Sequence, residues 1–537
     1  MTGPATDDTV THDDTVTHDD TLGEDTAGTR LLRTVTGGAL QGITVGPVDT
    51  WRGIPYAAAP VGVRRFRAPA PVIPWSGVRD AREFGPIAPQ TVKRRGKAGP
   101  ALTPVDEDCL TVNVQVPAGA PNDLGMPVMV FIHGGSYSGG SSREFTGQGE
   151  SFVTAGGVVF VSFNYRLGPL GYLDFTRYAT PDRPIESNLG LRDQVALLEW
   201  VRDNIGEFGG DPDNVTIFGE SAGANAVTTL LGLPAAEGLF TRAIAQSPPA
   251  SLVFPARLAQ EWGEEFVDIL RGGSGTAADL SDLDLLLAAD PDDLVAASTV
   301  LQRGNADRHP GTFCLSPTVD GEYLPVHPMT AVRDGLTRPV PLVIGTNDRE
   351  GSVFRGPFDL LPATAPRVGA LFSRAPSLSK QGMLDAYPKI RSRPAGLDFG
   401  ADYAFWYPAT VLADSHARHA PTYVYRYDFA PRLMHLVGID ATHGTEMFAL
   451  FDRMDLWVVK AMTSLGGRGA YAAAERRMRA AWLLFATDGT MPAIWPTYTD
   501  DARDTLVIDT RDRVESDPRR TRREAWDAFL PIMKSLW

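Results

Sequence analysis

Cysteine is almost absent from this chain of 537 residues, which contains only two. So few thiols exclude a disulfide-built scaffold and are typical of a reducing compartment. The chain also lacks an apolar run of the length that a membrane span needs. Its N-terminus lacks the basic start and apolar core of a secretory signal. These absences predict a cytoplasmic protein without a membrane partner.

Basic residues are missing from the first 25 positions, which hold eight of the fifteen excess negative charges. There the stretch TDDTVTHDDTVTHDDT repeats every six residues with almost no apolar content, so residues 1–28 are expected to form a disordered tail. The alternative is a weak metal site at His12 and His18, but such a chain offers no fixed ligand geometry. Residues 29–537 are only mildly acidic and contain no linker, which predicts one domain and argues against nucleic acid as a partner.

The rest of the sequence alternates strand-like and helix-like segments. A helical period within 188–210 ends at Gly209-Gly210, two short strands flank a Gly-Gly turn near residue 37, and a Pro/Asp-rich excursion covers 273–312. Continuous apolar runs, which indicate strands buried on both faces, lie at 110–116, 128–134, 158–166, 215–219, 240–247, 341–347, 422–429 and 505–509. This alternation predicts an α/β fold with a mainly parallel central sheet flanked by helices and a small N-terminal antiparallel sheet.

A serine between two glycines is the first candidate for chemistry. Gly219-Glu220-Ser221-Ala222-Gly223 fits G-x-S-x-G, follows a predicted strand and precedes a helical pattern. A nucleophile elbow needs this context, because the sharp strand-to-helix turn exposes the serine oxygen and leaves no room for side chains two positions away. The alternative is an ordinary glycine-rich turn. The context favours Ser221 as the nucleophile.

A second glycine-rich stretch, FIHGGSYSGG at 131–140, follows an apolar strand upstream of the serine. Backbone N–H groups without crowding side chains can point at a developing alkoxide, as in the HGGG-type loops of esterases. The alternative is a flexible turn. We predict an oxyanion hole made by the N–H groups of Gly135, Ser136 and Ala222, with Gly134 shaping the loop.

Further motifs extend these two in order along the chain. They are RGIPYA 52–57, EDCLTVNV 107–114, NYRLGPLGYL 164–173, NLGLRDQVALLEWVRDNIGEFGGDP 188–212 and VTIFGESAGA 215–224. In them the chain resembles the type-B carboxylesterase/cholinesterase family of α/β hydrolases, and its bacterial para-nitrobenzyl-esterase-like branch, over about residues 30–535. The resemblance implies an α/β-hydrolase fold whose helical excursions form a gorge. It also implies a serine carboxylic-ester hydrolase acting on a small-molecule ester without a metal or organic cofactor.

The family has a glutamate as the acid of its catalytic triad, in a G-x-N-x-x-E-G pattern after a strand. In this chain IGTNDREG, residues 344–351, supplies Glu350 at that place. Asp348 is the rival acid two positions earlier, but only Glu350 has the spacing of the motif.

Four histidines follow Glu350, and the expected chain order for this fold is serine, acid, histidine. His416 and His419 fall in a predicted helix and are expected to be surface or capping residues, and His435 matches no motif. His443 lies in DATHGTEMF and matches the family's H-G-x-E loop. The resemblance therefore implies that His443 is the general base.

The sequence departs from the family pattern at its cysteines. Many relatives bridge the cysteine of EDCL to one in FGPxCPQ, but this chain has Ala88 at the second place. Cys109 thus loses its usual partner, and Cys314 cannot be placed near it from the sequence. Both are expected to be buried free thiols.

The segment between these two positions also differs from that of the choline-binding relatives. They hold a tryptophan there, whose face attracts a quaternary ammonium. Residues 89–108 contain no aromatic residue. They contain four basic residues instead, Lys93, Arg94, Arg95 and Lys97. We therefore expect neutral or anionic esters with short to medium acyl chains rather than choline esters.

Three questions stay open at this point. Phe405, Trp406 and Tyr407 lie in a segment that runs close to the gorge in relatives, so they either line the pocket or pack in the core. An acyltransferase or an amide- or carbamate-cleaving enzyme would use the same triad, and non-catalytic binding proteins share the fold. The latter lack triad residues that this chain keeps.

Overall fold

The computed structural model describes residues 31–93, 101, 103–273, 279–356 and 359–529. The predicted tail and three of the four basic residues, Arg94, Arg95 and Lys97, lie outside the described residues. Within those ranges, none of the helices combines the length and the apolar character required to cross a bilayer.

Sixteen strands are formed by the described residues. In chain order they are β1 Leu32–Val35, β2 Gly38–Gln41, β3 Ile43–Val45, β4 Val48–Pro55, β5 Val78–Asp80, β6 Thr111–Pro117, β7 Met126–Ile132, β8 Val159–Phe163, β9 Gly210–Glu220, β10 Arg242–Gln246, β11 Phe254–Pro255, β12 Thr318–Val319, β13 Leu342–Asn347, β14 Thr422–Tyr427, β15 Asp504–Ile508 and β16 Arg513–Ser516. Each of the eight predicted apolar runs overlaps one of these strands.

Eleven strands form the central sheet in the order β3-β4-β6-β8-β7-β9-β10-β13-β14-β15-β16. The seven neighbouring strands β8-β7-β9-β10-β13-β14-β15 pair in parallel, and antiparallel strands extend the sheet at both ends. This confirms the mainly parallel sheet. The small N-terminal sheet is present as well: β1 and β2 pair antiparallel as expected, and β5 joins β2 in parallel.

Helices cover both faces of the sheet. They are α1 Glu150–Gly156, α2 Gly168–Tyr172, α3 Leu189–Asn204, α4 Ala222–Leu230, α5 Ala256–Gly273, α6 Asp282–Ala288, α7 Pro291–Arg308, α8 Pro328–Arg333, α9 Ala365–Arg374, α10 Ser377–Ala386, α11 Arg393–Ala401, α12 Tyr407–His416, α13 Arg432–Leu436, α14 Met447–Leu450, α15 Trp457–Met462, α16 Arg468–Asp488 and α17 Arg520–Phe529.

The strands supply apolar side chains to two cores, one on each side of the sheet. In β9, Ile217 belongs to one cluster and its neighbour Phe218 to the other, because successive side chains of a strand point to opposite faces. The first core packs α3, α4 and α5, and the second packs α1, α14 and α16. Burial on both faces explains why these strands have continuous apolar runs instead of alternating ones.

The helix predicted before the serine is α3, and its buried face contains Leu191, Val195, Leu198 and Val201. It ends at Asn204, a short 3-10 turn follows, and Gly209 closes it with a φ of 79°. A positive φ at this place suits glycine, which has no Cβ to clash. The excursion at 273–312 contains α6 and α7, and α7 covers one side of the candidate site.

Both cysteines are buried free thiols, as predicted. Burial raises the pKa of Cys109 beyond its usual range and that of Cys314 to about 12, so both stay protonated and unreactive at neutral pH.

Candidate active site

Ser221 occupies the tight turn between β9 and α4. Its φ of 59° and ψ of −123° are costly for a residue with a side chain, and such strain is common at functional sites. The flanking glycines allow the turn. A Cβ on Gly223 would lie 2.0 Å from the oxygen of Ile132, and one on Gly219 would lie 2.7 Å from the same atom. The turn therefore has the geometry predicted for a nucleophile elbow.

Ser221 faces a cavity of about 630 Å³. Its own N–H donates to the carbonyl of Gln246 at 2.9 Å, which fixes the turn against β10. The same cavity is lined by the glycine-rich loop, His443 and part of α7, together with apolar side chains that include Phe131, Phe145, Phe354, Met447 and Phe448.

The glycine-rich loop closes tightly over the elbow. A Cβ on Gly134 would lie 2.6 Å from the carbonyl oxygen of Glu220, and one on Gly135 would lie 2.2 Å from that of Gly139. Gly135 has a φ of 109°, and Ser136 a φ of 55°. Among the described residues, no hydrogen bond uses the N–H of Gly135, Ser136 or Ala222 as its donor. Three N–H groups near Ser221 are thus available to a ligand.

The loop is held against the elbow helix by a side chain. The hydroxyl of Tyr137 donates to Asn225 Oδ1 of α4 at 2.7 Å, and both residues are buried. Asn225 Nδ2 in turn donates to the carbonyl of Pro249 at 2.9 Å. These bonds couple the position of the loop to the helix that begins at Ala222.

Glu350 and His443 are brought together by the loops after β13 and β14. Nδ1 of His443 lies 2.6 Å from Glu350 Oε2. The other oxygen, Oε1, accepts hydrogen bonds from Ser247 Oγ and from the N–H of Asn347, both at 2.6 Å. A buried carboxylate with every contact satisfied is held in one orientation. The rival acid Asp348 instead pairs with Arg519 at 2.8 Å.

Arg349 fastens the loop of Glu350 to the loop of His443. Its guanidinium donates to Asp440 Oδ2 at 2.7 Å and to Asp398 Oδ1 at 3.1 Å, and its N–H donates to the carbonyl of Ala441 at 2.9 Å. The N–H of Val353 donates to Thr442 Oγ1 at 3.0 Å. The acid and the imidazole therefore keep a fixed distance, independent of the bond between them.

The free nitrogen of His443 points toward the elbow. Nε2 lies 3.1 Å from Glu220 Oε1 but forms no hydrogen bond with a described residue. Burial alone would lower the pKa of His443, but the nearby carboxylates of Glu220 and Glu350 outweigh it and raise that pKa to about 9. Ser221 and His443 line the same cavity, with no hydrogen bond between them in the described structure.

Two further glutamates surround this histidine. Burial raises the pKa of Glu220, and burial together with the charges of Glu220 and Glu350 raises that of Glu446 to about 8. Asn347 Nδ2 donates to Glu446 Oε2 at 2.8 Å. The site thus concentrates three carboxyl groups around one imidazole.

Sequence reasoning did not single out Ser247, Asn347 or Glu446. Asn347 and Glu446 are fixed letters of the two motifs that supplied Glu350 and His443, so the motifs themselves could have indicated them. Ser247 directly follows β10 and has no motif around it. Only the structure brings its hydroxyl to Glu350.

The three aromatic residues left open pack in the core. The ring of Phe405 lies 4.6 Å from that of His443, on a π-helical turn that spans Asp402–Trp406. Arg519 stacks on Trp406, and the hydroxyl of Tyr407 donates to Asp527 at 2.8 Å. None of the three lines the cavity that contains Ser221. Phe405 supports the imidazole from behind.

The expectation that His416 is a surface or capping residue is wrong. Its ring is fully buried, with Nε2 2.9 Å from the carbonyl of Val340, because the end of α12 packs against the chain that enters β13. Burial lowers its pKa. His419 is exposed, and His435 pairs with Asp440 at 2.7 Å. Neither of these two histidines lines the cavity that contains Ser221.

A second cavity, of about 590 Å³, lies behind the acid loop and is lined mostly by arginines and aspartates. Its charges pair with one another, as in Arg522–Asp402 at 2.8 Å and Arg349–Asp398 at 3.1 Å. No group of three or more His, Cys, Asp or Glu side chains in the described ranges is placed to hold a metal ion.

The sequence and the structure are similar to those of known esterases. Residues 29–362 match the model of the Carboxylesterase family. The para-nitrobenzyl esterase of Bacillus subtilis (strain 168) is 34% identical over 499 residues, which cover 92% of this chain and 98% of that protein. The fumonisin B1 esterase of Sphingopyxis macrogoltabida is 33% identical over 487 residues, covering 87% of this chain and 85% of that protein.

A solved structure of a PNB esterase superposes with a TM-score of 0.81 at 33% identity, covering 92% of this chain and 99% of that one. A thermophilic PNB esterase gives the same TM-score and the same coverage. The resemblance stated from the motifs is thereby confirmed. The chain belongs to the carboxylesterase family of α/β-hydrolase enzymes.

Proposed function

We propose that this protein is a serine carboxylic-ester hydrolase in which Ser221 is the nucleophile, His443 the general base and Glu350 the acid. The observation that carries the proposal is the Glu350–His443 pair, at 2.6 Å, in the same cavity as a serine on a strained elbow. Catalytic hydrogen bonds are often long or misaligned without substrate, so the open Nε2 of His443 is compatible with this role.

In the first half-reaction, His443 Nε2 accepts the proton of Ser221 Oγ as this oxygen attacks the acyl carbonyl. Glu350 keeps the imidazole in the required tautomer and stabilises the imidazolium. The N–H groups of Gly135, Ser136 and Ala222 donate to the developing oxyanion, and Gly134 leaves the space for it. His443 then returns the proton to the departing alcohol, which leaves an ester on Ser221.

In the second half-reaction, water replaces the alcohol. His443 takes a proton from the water as it attacks the acyl-enzyme, and the same N–H groups stabilise the second oxyanion. Collapse releases the carboxylic acid and returns the proton to Ser221.

Labelling by a fluorophosphonate tests the assignment of the nucleophile. We expect the reagent to modify Ser221 and to abolish turnover of a 4-nitrobenzyl ester, and Ser221→Ala to lose about 10⁴-fold or more in kcat/KM. Ser251, which is buried away from the cavity lining, provides a Ser→Ala control. An adduct on another serine, or full activity of Ser221→Ala, would contradict the proposal.

An acyltransferase or an amide- or carbamate-cleaving enzyme would form the same acyl-enzyme and differ only in the leaving group or the acceptor. Product analysis with and without an added alcohol or amine separates these activities. Free acid as the main product in both conditions supports the hydrolase. A non-catalytic binding protein would show no turnover at all.

The substrate class proposed is neutral or anionic esters with short to medium acyl chains. The aromatic residues that line the cavity in the described part of the chain are phenylalanines, whereas a quaternary ammonium is attracted most by tryptophan. The loop after Gly135 also resembles the GGGX type, which leaves room for bulky alcohols. We expect 3,3-dimethylbutyl butyrate to give a higher kcat/KM than butyrylcholine, its cationic isostere. The reverse order would contradict this substrate class.

We also propose that residues 29–537 act as one catalytic domain in the cytoplasm and that residues 1–28 are dispensable for the reaction. Deletion of residues 1–28 is expected to leave kcat and KM nearly unchanged, since no motif lies there. A large loss of activity would show that the tail acts on the site, and recovery in the secreted fraction would contradict the proposed location.

A further inference from the structure

One wall of the cavity carries polar side chains that have no part in the proposed triad. The residues of α7 that line it are spaced by three, one, three and one positions, which places them on one helical face. They are Val295, Ser298, Thr299, Gln302 and Arg303. This wall is polar apart from its first residue, whereas Phe145, Phe354 and Phe448 make other parts of the lining apolar.

Arg303 is the single arginine or lysine of this lining among the described residues. Its side chain is exposed and takes part in no hydrogen bond or ion pair with the described part of the chain. Arg308, on the same helix, is paired with Glu265. An unpaired guanidinium at the edge of a cavity keeps a planar set of donors free, and this set matches the two oxygens of a carboxylate.

Two acids line the same cavity, Glu144 and Glu220. No ion pair within the described ranges joins either of them to Arg303. Burial raises the pKa of both acids. A guanidinium stays charged at neutral pH. The α7 side is therefore the positive wall of the cavity. Glu144, which lies outside α7, adds a negative group to the same lining.

The α7 wall lies next to the loop that faces the reacting carbonyl. Gln302, the neighbour of Arg303, borders a small adjoining space together with Ser136 of the oxyanion loop. A substrate whose carbonyl lies at Ser136 can extend along the face that ends in Arg303, where a distal group would meet a cation.

We propose that Arg303 is a specificity-determining residue that binds a free carboxylate on the substrate, so that the enzyme prefers esters carrying such a group over uncharged isosteres. Half-esters of dicarboxylic acids and esters of carboxyl-bearing alcohols belong to this class. The proposal rests on the proposed esterase function. Because Arg303 is exposed, a preference of about three- to tenfold in kcat/KM is expected.

The test uses two pairs of substrates that differ only in carboxylate against carboxamide. Mono-4-nitrobenzyl succinate and 4-nitrobenzyl succinamate place the group on the acyl side. 4-Carboxybenzyl butyrate and 4-carbamoylbenzyl butyrate place it on the alcohol side. The quantity compared is the ratio of kcat/KM within a pair, measured on one enzyme preparation, so that partial misfolding of a variant cancels.

We expect the wild type to favour the carboxylate in at least one pair, and that pair assigns the side of the substrate. Arg303→Gln should bring this ratio to about one, Arg303→Lys should retain part of it, and Glu144→Gln should raise it. Raising the salt from about 20 to about 300 mM should weaken the preference, since the pair is exposed. The matched control is Arg308→Gln, which removes the same charge from α7 outside the cavity and should leave the ratio unchanged.

Equal ratios in the wild type and Arg303→Gln for both pairs would overturn the proposal. So would an equal loss in Arg308→Gln, because the effect would then come from net charge. The esterase function is judged separately, from turnover of the two carboxamides and its loss in Ser221→Ala. Failure of the Arg303 assignment leaves that turnover intact.

Discussion

Two buried charged clusters of this protein contrast in how their charge is balanced. On one side of the sheet, Arg166 and Asp193 form a bidentate pair, with nitrogen–oxygen distances of 2.8 and 2.6 Å, and both side chains are almost completely buried. Arg166 also donates to the carbonyl of Arg67 at 2.7 Å. Each charge has an opposite charge and further hydrogen bonds, as burial requires.

The cluster around His443 is not balanced in this way. Glu220, Glu350 and Glu446 all approach it, and no ion pair joins these glutamates to an arginine or lysine in the described part of the chain. Among the described residues of this cluster, the imidazole is the one group that can supply a positive charge. The surplus of carboxyl groups raises the pKa of His443, and burial together with the charges of Glu220 and Glu350 raises that of Glu446.

The contrast indicates what each cluster is for. A balanced pair fixes the start of α3 against the chain after β8. An unbalanced cluster raises the pKa of its groups toward neutral pH or above. It also stabilises the imidazolium of His443, the positive charge that forms during acyl transfer. Substitutions in the two clusters should therefore differ in kind: loss of stability in the first, and loss or retuning of catalysis in the second.

The largest effect is expected from His443→Ala. Without the imidazole, Ser221 has no base, and kcat/KM should fall by about 10⁴-fold or more while the melting temperature changes little. The exposed His419→Ala serves as the control and should keep full activity. Near-normal turnover of His443→Ala would contradict the catalytic role assigned to the unbalanced cluster.

The balanced cluster is broken by Asp193→Asn, which leaves Arg166 buried without a counter-charge. We expect about 3–5 kcal/mol of destabilisation, visible as a lower melting temperature and a lower urea midpoint. Asp203→Asn on the same helix removes an exposed partner of Arg202 and should change stability by less than about 1 kcal/mol. Equal effects of the two substitutions would contradict the interpretation of the buried pair.

Glu475 of α16 is another buried acid, and it shows the effect of burial without proximity to His443. Burial raises its pKa well above the usual range. As the pH rises above the ordinary glutamate pKa, the unfolded chain releases a proton that the folded chain keeps, so the wild type loses stability, at most about 1.4 kcal/mol per pH unit. Glu475→Gln lacks this loss. Its melting temperature should exceed that of the wild type by more at about pH 8 than at about pH 5.

The exposed Glu199 provides the control for this experiment, and Glu199→Gln should show no such trend. A difference in melting temperature between Glu475→Gln and the wild type that stays constant with pH would mean that Glu475 is ionised in the fold. Activity of Glu475→Gln is expected to remain, since the residue does not line the cavity.

The sequence predicts most of the sheet because the sheet is buried. The eight apolar runs overlap β6 to β10 and β13 to β15, since strands covered on both faces need continuous apolar side chains. The edge strand β16, Arg513–Ser516, has the sequence RVES and no such run. The beginning of β9 is missed as well, because Asp211 and Pro212 resemble a turn although the strand extends back to Gly210.

Only those residues of the candidate site that belong to local sequence motifs can be predicted from the sequence. G-x-S-x-G, the glycine-rich loop and the two later motifs name the seven site residues, and the structure brings Glu350 to His443. Their catalytic roles stay predictions. The surroundings of the site come from distant segments: Ser247 after β10 and Arg303 on α7 reach it through the fold alone. The burial of His416 likewise depends on a contact with Val340, 76 positions away.

The smallest change, Glu220→Gln, tests whether the surplus charge tunes the base. His443 must be unprotonated to accept the proton of Ser221, so kcat/KM should fall as the pH drops below the pKa of His443, which the carboxylates raise to about 9. Removing the Glu220 charge lowers that pKa, and the acidic limb of the profile should move to lower pH. The plateau at high pH should also fall, because the imidazolium formed in the transition state loses a stabilising neighbour.

Glu475→Gln is the matched control, since it also removes a buried carboxyl group but does not contact His443. Its profile should coincide with that of the wild type. The position of the limb decides between two states of the cluster. A shift means that Glu220 is ionised beside His443 and that the imbalance of charge is real. An unshifted limb would mean that burial keeps Glu220 protonated throughout the working pH range. The pKa of His443 would then be set by Glu350 and Glu446 alone, and the two clusters would differ less in net charge than their composition suggests.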